Sequence, residues 1–223
     1  MEVDKIEAFD YMLHLFEEWR DNHETIKGKP FPKLTAMKLL FLAAAPKKDG
    51  GDDLLDIFDN FYAMPYGPVE SDVYNAMCED KLPSFSVKYR SIEPREGAEP
   101  YNAKRYNCKL YHRVRNAVND LREKNEKLVL LNAFELVEIT HRWSSWDRAM
   151  DFAEFMGQMS AKMSIDSIRD SSKIFDLKCD AICLCPGWEK SKGCQLEHFV
   201  AQLWDKEIIE FERLKYSKIW KEK

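Results

Sequence analysis

Histidine and cysteine are the residue types from which a reaction centre would be built, and in this chain they suggest two places to look. The first is His141, in the stretch ITHRWSSW, with Thr140 before it and Trp146 five residues on. A histidine at a helix end suits a general base. A base also needs something to activate, and no second catalytic partner is identifiable. His14, His23, His112 and His198 lie in separate segments at spacings that match no metal signature. The reading favoured here is a histidine that bonds a helix terminus in a protein that is not an enzyme; a hydrolase centred on His141 is the catalytic rival. The second place is Cys179, Cys183, Cys185 and Cys194, which gather in CDAICLCPGWEKSKGC. Four thiolates make a tetrahedral zinc site, and zinc would supply a short tail with the stability its small core lacks. The C-x3-C-x-C spacing lacks the paired C-x2-C units of a zinc knuckle, and His198 is an alternative fourth ligand. The expectation is therefore no cofactor, with structural zinc on these four cysteines as the alternative. Cys78 and Cys108 stand alone and are expected to be reduced and partly buried.

Other reactive signatures are missing. The acidic loop KKDGGDD lacks the alternating acids and final glutamate of a calcium loop and reads as a solvated turn. The chain contains no G-x-G-x-x-G, no P-loop and no H-E-x-x-H. The acid pairs Glu17–Glu18 and Asp52–Asp53 read as exposed faces. A net charge of −5 and a pI near 5.7 argue against a duplex-DNA binder, which needs a basic surplus to neutralise phosphates. KYRSIEPR and KRYNCKLYHRVR interleave cations with tyrosines, yet without an overall surplus they read as a solvated hairpin and not a single-strand binder. The acidic N-terminal stretch and the short apolar run LLFLAAAP imply neither a signal peptide nor a membrane span, so a cytoplasmic location is expected.

The elements that must position these residues are mostly helical. In the first 22 residues, Ile6, Phe9, Leu13 and Phe16 share a face, with Met12, Leu15 and Trp19 beside it. KLTAMKLLFLAAAP is apolar on most sides and reads as a central helix ended by Pro46. SFSVKYRSI alternates as a half-buried strand, and KRYNCKLYH at 104–112 is its expected hairpin partner. Val114, Val118 and Leu121 mark another helix, as does NAFELVEITHRW. Ser144 is a candidate cap for a helix whose face carries Trp146, Ala149, Ala153 and Met156. Ser164 is expected to open a short helix. Leu196, Val200, Leu203, Ile208, Phe211 and Leu214 suggest a long C-terminal amphipathic helix. With 45% hydrophobic residues in 223, the chain is expected to form a mainly α (α+β) fold: a compact helical domain with a small β-hairpin at 1–176, then a cysteine-containing loop and helical extension at 177–223.

Residues 61–71, FYAMPYGPVES, are the least ordinary stretch. Proline suits the first position of a helix, Gly67 relieves the clash a residue before proline would suffer, and Glu70 would face the helix dipole. The segment thus reads as a stiff turn leading into a helix, with Phe61, Tyr62 and Tyr66 wedged against the core.

The order KLTAMKLLFLA, FDNFYAMPYGPVESDVYNAM, ELVEITHRWSSWDRA and MSIDSIRDSSKIF resembles the Panacea domain, the SocA-like antitoxin domain, over roughly residues 5–175. The positions that carry the resemblance are Leu39, Leu40, Tyr66, Gly67, Pro68, Val69, Val73, Tyr74, Thr140, His141 and Trp146. It implies an interaction protein that neutralises a cognate protein toxin by direct binding, and in one branch an adaptor delivering the toxin to a protease, here an AAA+ machine of the ClpXP type. Candidate partner-binding residues are Phe61, Tyr62, Tyr66, Glu70 and Tyr74, and neither membrane nor nucleic acid is expected as a partner. The alternative is a zinc-stabilised adaptor or regulator acting through 179–223.

Overall fold

The computed structural model describes residues 5–46, 52–98, 109–174, 181–203 and 207–210. The chain divides into two compact units, Met1–Ile174 and Phe175–Lys223. In the first, the described elements run α1 (Lys5–Asp21), β1 (Phe31–Pro32), α2 (Lys33–Ala44), β2 (Phe61–Met64), β3 (Gly67–Glu70), α3 (Ser71–Cys78), β4 (Phe85–Val87), β5 (Ser91–Pro94), α4 (Lys109–Lys124), α5 (Ala133–His141), α6 (Ser144–Phe155), β6 (Ala161–Lys162) and α7 (Ile165–Ile174). A short 3-10 turn, Glu126–Leu130, joins α4 to α5. The fold is mixed α and β, with small antiparallel sheets set among helices.

The apolar pattern of α2 dictates its place. Every residue from Thr35 to Ala44 is buried, as a helix hydrophobic on all sides requires. It packs against α1, α4, α5 and β3, and so forms the axis of the unit. Its neighbour α1 buries the broad stripe Phe9, Met12, Leu13, Phe16 and Trp19, and the Trp19 indole donates to the Glu126 carbonyl at 2.9 Å. Asn132 caps the N-terminus of α5 with a capping box, accepting from the Phe134 and Glu135 amides while Glu135 accepts from the Asn132 amide. Ser164 lies just before α7 and its hydroxyl accepts from the Ser167 amide.

Several expected elements take a different form. The segment at 61–70 is an antiparallel strand pair, Phe61 opposite Glu70 and Met64 opposite Gly67, and α3 begins only at Ser71. Pro68 therefore sits in β3, the edge strand of the order β3-β2-β6, where its missing N–H costs no ladder bond. An edge strand and a first helical turn tolerate proline for the same reason, so the residue type alone could not separate them. The partner of β4 is β5, joined by a tight turn, with Val87 opposite Ile92. Residues 109–112 open α4 instead of pairing as a strand, and 101–108 lie outside the described residues. Ser144 is the first residue of α6 and not its cap.

The second unit holds β7 (Ala181–Leu184), a 3-10 turn Trp188–Lys190, α8 (Lys192–Leu203) and β8 (Glu207–Glu210). β7 and β8 pair in parallel with Ile182 opposite Ile208, so α8 is the crossover of a β-α-β unit. The long helix expected here stops at Leu203, and Ile208 belongs to a strand; Phe211 and Leu214 lie outside the described residues.

Glu70 shows how the first unit is locked at its N-terminus. It is fully buried and caps α3, accepting from the Val73 amide at 2.9 Å. Its other oxygen accepts from the Asn60 amide and from the Lys5 ammonium at 2.8 Å. Lys5 also reaches Asp59 and Asp72, each at 2.6 Å. Partial burial works against the Lys5 charge, but the three carboxylates overcome it and raise its pKa. One ammonium cannot neutralise three acids, and burial pushes the Glu70 carboxyl up, with Lys5 and the Val73 amide opposing. Replacing Lys5 by methionine leaves a buried carboxylate without its cation. We expect a loss of about 3 kcal/mol in urea unfolding, largely recovered by adding Glu70→Gln. An unchanged midpoint for Lys5→Met would contradict this role.

Candidate functional site

Tyr66, Gly67, Pro68, Thr140, His141 and Trp146 of the resemblance residues converge on one feature: the turn between β2 and β3. Its two central residues are Pro65 and Tyr66, and neither has a positive φ. The left-handed position falls instead on Gly67, at φ +82°, the geometry of a type I turn followed by a glycine. Three helices fasten this turn. From α2, the Lys38 ammonium donates to the Pro68 carbonyl at 2.8 Å. From α5, Thr140 closes over Gly67 so tightly that a Cβ there would stand 2.5 Å from its hydroxyl oxygen. From α6, the Trp146 indole donates to the Met64 carbonyl at 3.0 Å. Trp146 also stacks on His141, with ring centroids 3.7 Å apart and planes 10° from parallel.

Lys38 is the unusual member. Its side chain is fully buried, and desolvation pushes its pKa down to about 7. Burial also lowers the pKa of His141, with Glu138 raising it and Lys38 lowering it further. The buried His141 Nε2 has no hydrogen-bond partner among the described residues. Its ring is held as a stacking surface, and Thr140 turns its hydroxyl toward the Val137 carbonyl. Leu39, Leu40, Val69 and Val73 are buried in the core of the unit.

The partner-binding candidates separate by exposure. Phe61 and Glu70 are fully buried, Tyr62 is half-buried, and Tyr74 is partly exposed beneath the Lys33 ammonium. Tyr66 projects from the tip of the turn and meets the exposed ring of Phe134 edge-on, centroids 6.4 Å apart. Phe134 escaped the sequence reading because it sits at the start of an amphipathic helix, where an aromatic normally implies core. Lys38 escaped it because a lysine within an apolar helix reads as a residue that extends to solvent.

Among the described residues, one group of three potential metal ligands comes together, Asp59, Glu70 and Asp72, and the Lys5 ammonium already lies against all three. Cys183 and Cys185 are exposed free thiols and Cys194 is a half-buried one; Cys179 lies outside the described residues. Cys78 is also free, and exposed where partial burial was expected; Cys108 lies outside the described residues. Asp53 is not a simple exposed acid. It holds Arg169 at 2.8 Å, and its carbonyl accepts from Arg113. An open cleft of about 530 Å³ lies beside Lys5, Asp56, Asp59, Lys109 and Arg113. Of these, Lys5 is paired with Asp59 and Arg113 with Asp56. No described helix is long and apolar enough to cross a membrane.

The first unit is thus a small mixed α and β domain in which a braced turn carries an exposed Tyr66. Residues 37–147 match the family model described as Antitoxin SocA-like, Panacea domain. This stretch opens inside α2 and closes inside α6, and over it the chain is similar to that family. The stretch MSIDSIRDSSKIF lies beyond the match; a second model, Domain of unknown function (DUF4406), matches residues 158–210 and takes in α7 and the β-α-β unit. No curated protein and no solved structure matches the chain.

Proposed function

We propose that this protein is the antitoxin of a toxin–antitoxin pair and that it neutralises a toxin encoded beside it by direct, non-enzymatic binding. Beyond the match of residues 37–147 to the SocA-like family model, the observation that carries this reading is the Tyr66 turn. Four of the family positions, Gly67, Pro68, Thr140 and Trp146, serve to hold an exposed aromatic rigid, and Lys38 braces them. A side chain fixed before binding loses little entropy when a partner covers it, and exposed tyrosines on stiff turns are suited to anchoring contacts. The enzymatic alternative has less to work with, since the His141 ring is committed to Trp146.

Neutralisation takes one of two routes. The antitoxin occludes the toxin in a lasting complex, or it delivers the toxin to an AAA+ protease of the ClpXP type. Co-expression with the adjacent open reading frame tests the reading. Growth arrested by the neighbour alone is expected to recover when both are made, and recovery is expected to weaken at least tenfold in plating efficiency with the pair Tyr66→Ser and Phe134→Ser. A stable toxin level during rescue marks occlusion, and a falling level marks delivery. Continued arrest, with no complex recovered by pull-down, would overturn the antitoxin reading.

A further inference from the structure

At the far end of α6 the chain leaves apolar side chains in solvent. Phe152, Phe155, Met156 and Met159 are 56%, 86%, 52% and 81% exposed. They are not on a loose end. The Gln158 amide donates to the Ala153 carbonyl and the Gly157 amide to the Glu154 carbonyl, with Gly157 at φ +65°, a Schellman closure of the helix. Two residues beyond Met159 the chain enters β6, which pairs with β2. The patch is therefore pinned at both sides.

Its surroundings carry a sign. Phe152, Phe155 and Met156 fall at i, i+3 and i+4 on one face. Asp147, Asp151 and Glu154 fall at i, i+4 and i+7, form the adjoining stripe, and are all exposed. Helix α7 packs against α6 and adds exposed Asp166 and Asp170. Arg148 heads the apolar face and donates to the Ser167 hydroxyl at 3.3 Å. An apolar patch containing methionines beside an acidic stripe fits a cationic amphipathic helix: the methionines adapt to its apolar side, and the acids meet its lysines and arginines. A second copy fits poorly, because a two-fold contact through this face would set the same acids against each other, in a chain already at −5.

We propose that the α6 face of Phe152, Phe155, Met156 and Met159, flanked by Asp147, Asp151 and Glu154, docks a basic amphipathic helix of the protein partner. This rests on the antitoxin reading for the partner's identity and names the chemistry of the segment that is held.

The probe is a fluorescein-labelled model peptide of alternating leucine and lysine at helical spacing, titrated with the full chain and read by anisotropy. Its leucine–glutamate counterpart is the control. The lysine peptide is expected to bind and the glutamate peptide not. Phe155→Ser with Met156→Ser is expected to weaken binding at least tenfold, and Asp151→Asn with Glu154→Gln is expected to weaken it and flatten its salt dependence. These side chains are exposed, and circular dichroism checks that each variant remains folded. Equal binding of both peptides, or binding unchanged in the Phe155/Met156 variant, would overturn the proposal, as would a dimer that this variant converts to monomer. The titration needs no toxin, so its outcome separates from growth rescue: rescue with an insensitive titration leaves the antitoxin and removes this face. A selective titration without rescue keeps the face and removes the antitoxin.

Discussion

Gly67→Ala is expected to destabilise the first unit by about 3 kcal/mol, combining the cost of a left-handed backbone with that of overpacking. The glycine sits at φ +82°, where an L side chain is strained. Its new methyl would stand 2.5 Å from the Thr140 hydroxyl and 3.1 Å from the Lys38 ammonium. Neither neighbour moves freely: Lys38 is fixed to the Pro68 carbonyl and Thr140 to the Val137 carbonyl. A double-mutant cycle divides the cost. Adding Thr140→Ala removes the closest contact and should return part of the loss, leaving roughly 1 kcal/mol of backbone strain. Urea unfolding of the four proteins measures this, and a loss below about 1 kcal/mol in the single variant would mean that the turn is not braced as described.

The second large effect is a dependence of stability on pH that arises from Lys38. Its pKa is about 7 in the folded chain against about 10.4 for a free lysine. Between these values the unfolded chain binds the extra proton, so stability rises with pH across the window. The gain is on the order of 3 kcal/mol between pH 7 and 9.5. Lys38→Met should flatten this slope and be the more stable protein at pH 7, offset by the hydrogen bond lost at the Pro68 carbonyl. Neighbouring groups leave the window clear. The lowered pKa of His141 places its own effect below its ordinary value of 6.5. The raised pKa of Lys5 keeps its contribution intact until pH climbs above the unfolded value. Thermal unfolding of parent and variant at matched ionic strength tests this; parallel curves would show that Lys38 does not titrate as a buried group.

These two residues also mark where sequence reading worked and where it stopped. Periodicity placed α1, the all-round apolar α2, α4 and α5, because each pattern has a single way to be buried. The 61–70 segment was legible as stiff but not as strands. Gly-Pro fits a helix start and an edge strand equally, and the choice was made by Thr140 and Lys38, which are distant in sequence. The strand pairing of 85–87 with 91–94 was missed for a related reason: the nearer partner closes by a tight turn, whereas the expected one competes with the helix periodicity that begins at Lys109. At the C-terminal end, Leu196, Val200 and Leu203 share a helical face, and Ile208 extends the same apolar run. The parallel pairing of β8 with β7, which interrupts that pattern, is a non-local contact with no local signature.

The candidate site was legible in its framework more than in its surface. Gly67 and Pro68 were identifiable in one family-like motif and Thr140, His141 and Trp146 in another, although the contacts that unite them are between α2, the β2–β3 turn, α5 and α6. Exposure was the quantity missing from the sequence. Phe61 and Tyr66 are equivalent as letters, yet one is core and the other stands at a turn tip. Met156 shares helical spacing with Ala153, and only Ala153 is buried.

Binding between this chain and the protein encoded beside it is the most direct test of the central claim. Isothermal titration of the two purified proteins, with no nucleotide or metal added, should give a saturable complex with sub-micromolar Kd, and the Tyr66→Ser, Phe134→Ser pair should weaken it at least tenfold. No heat of binding and no co-elution, with both proteins folded, would contradict the claim that this scaffold exists to grip another protein.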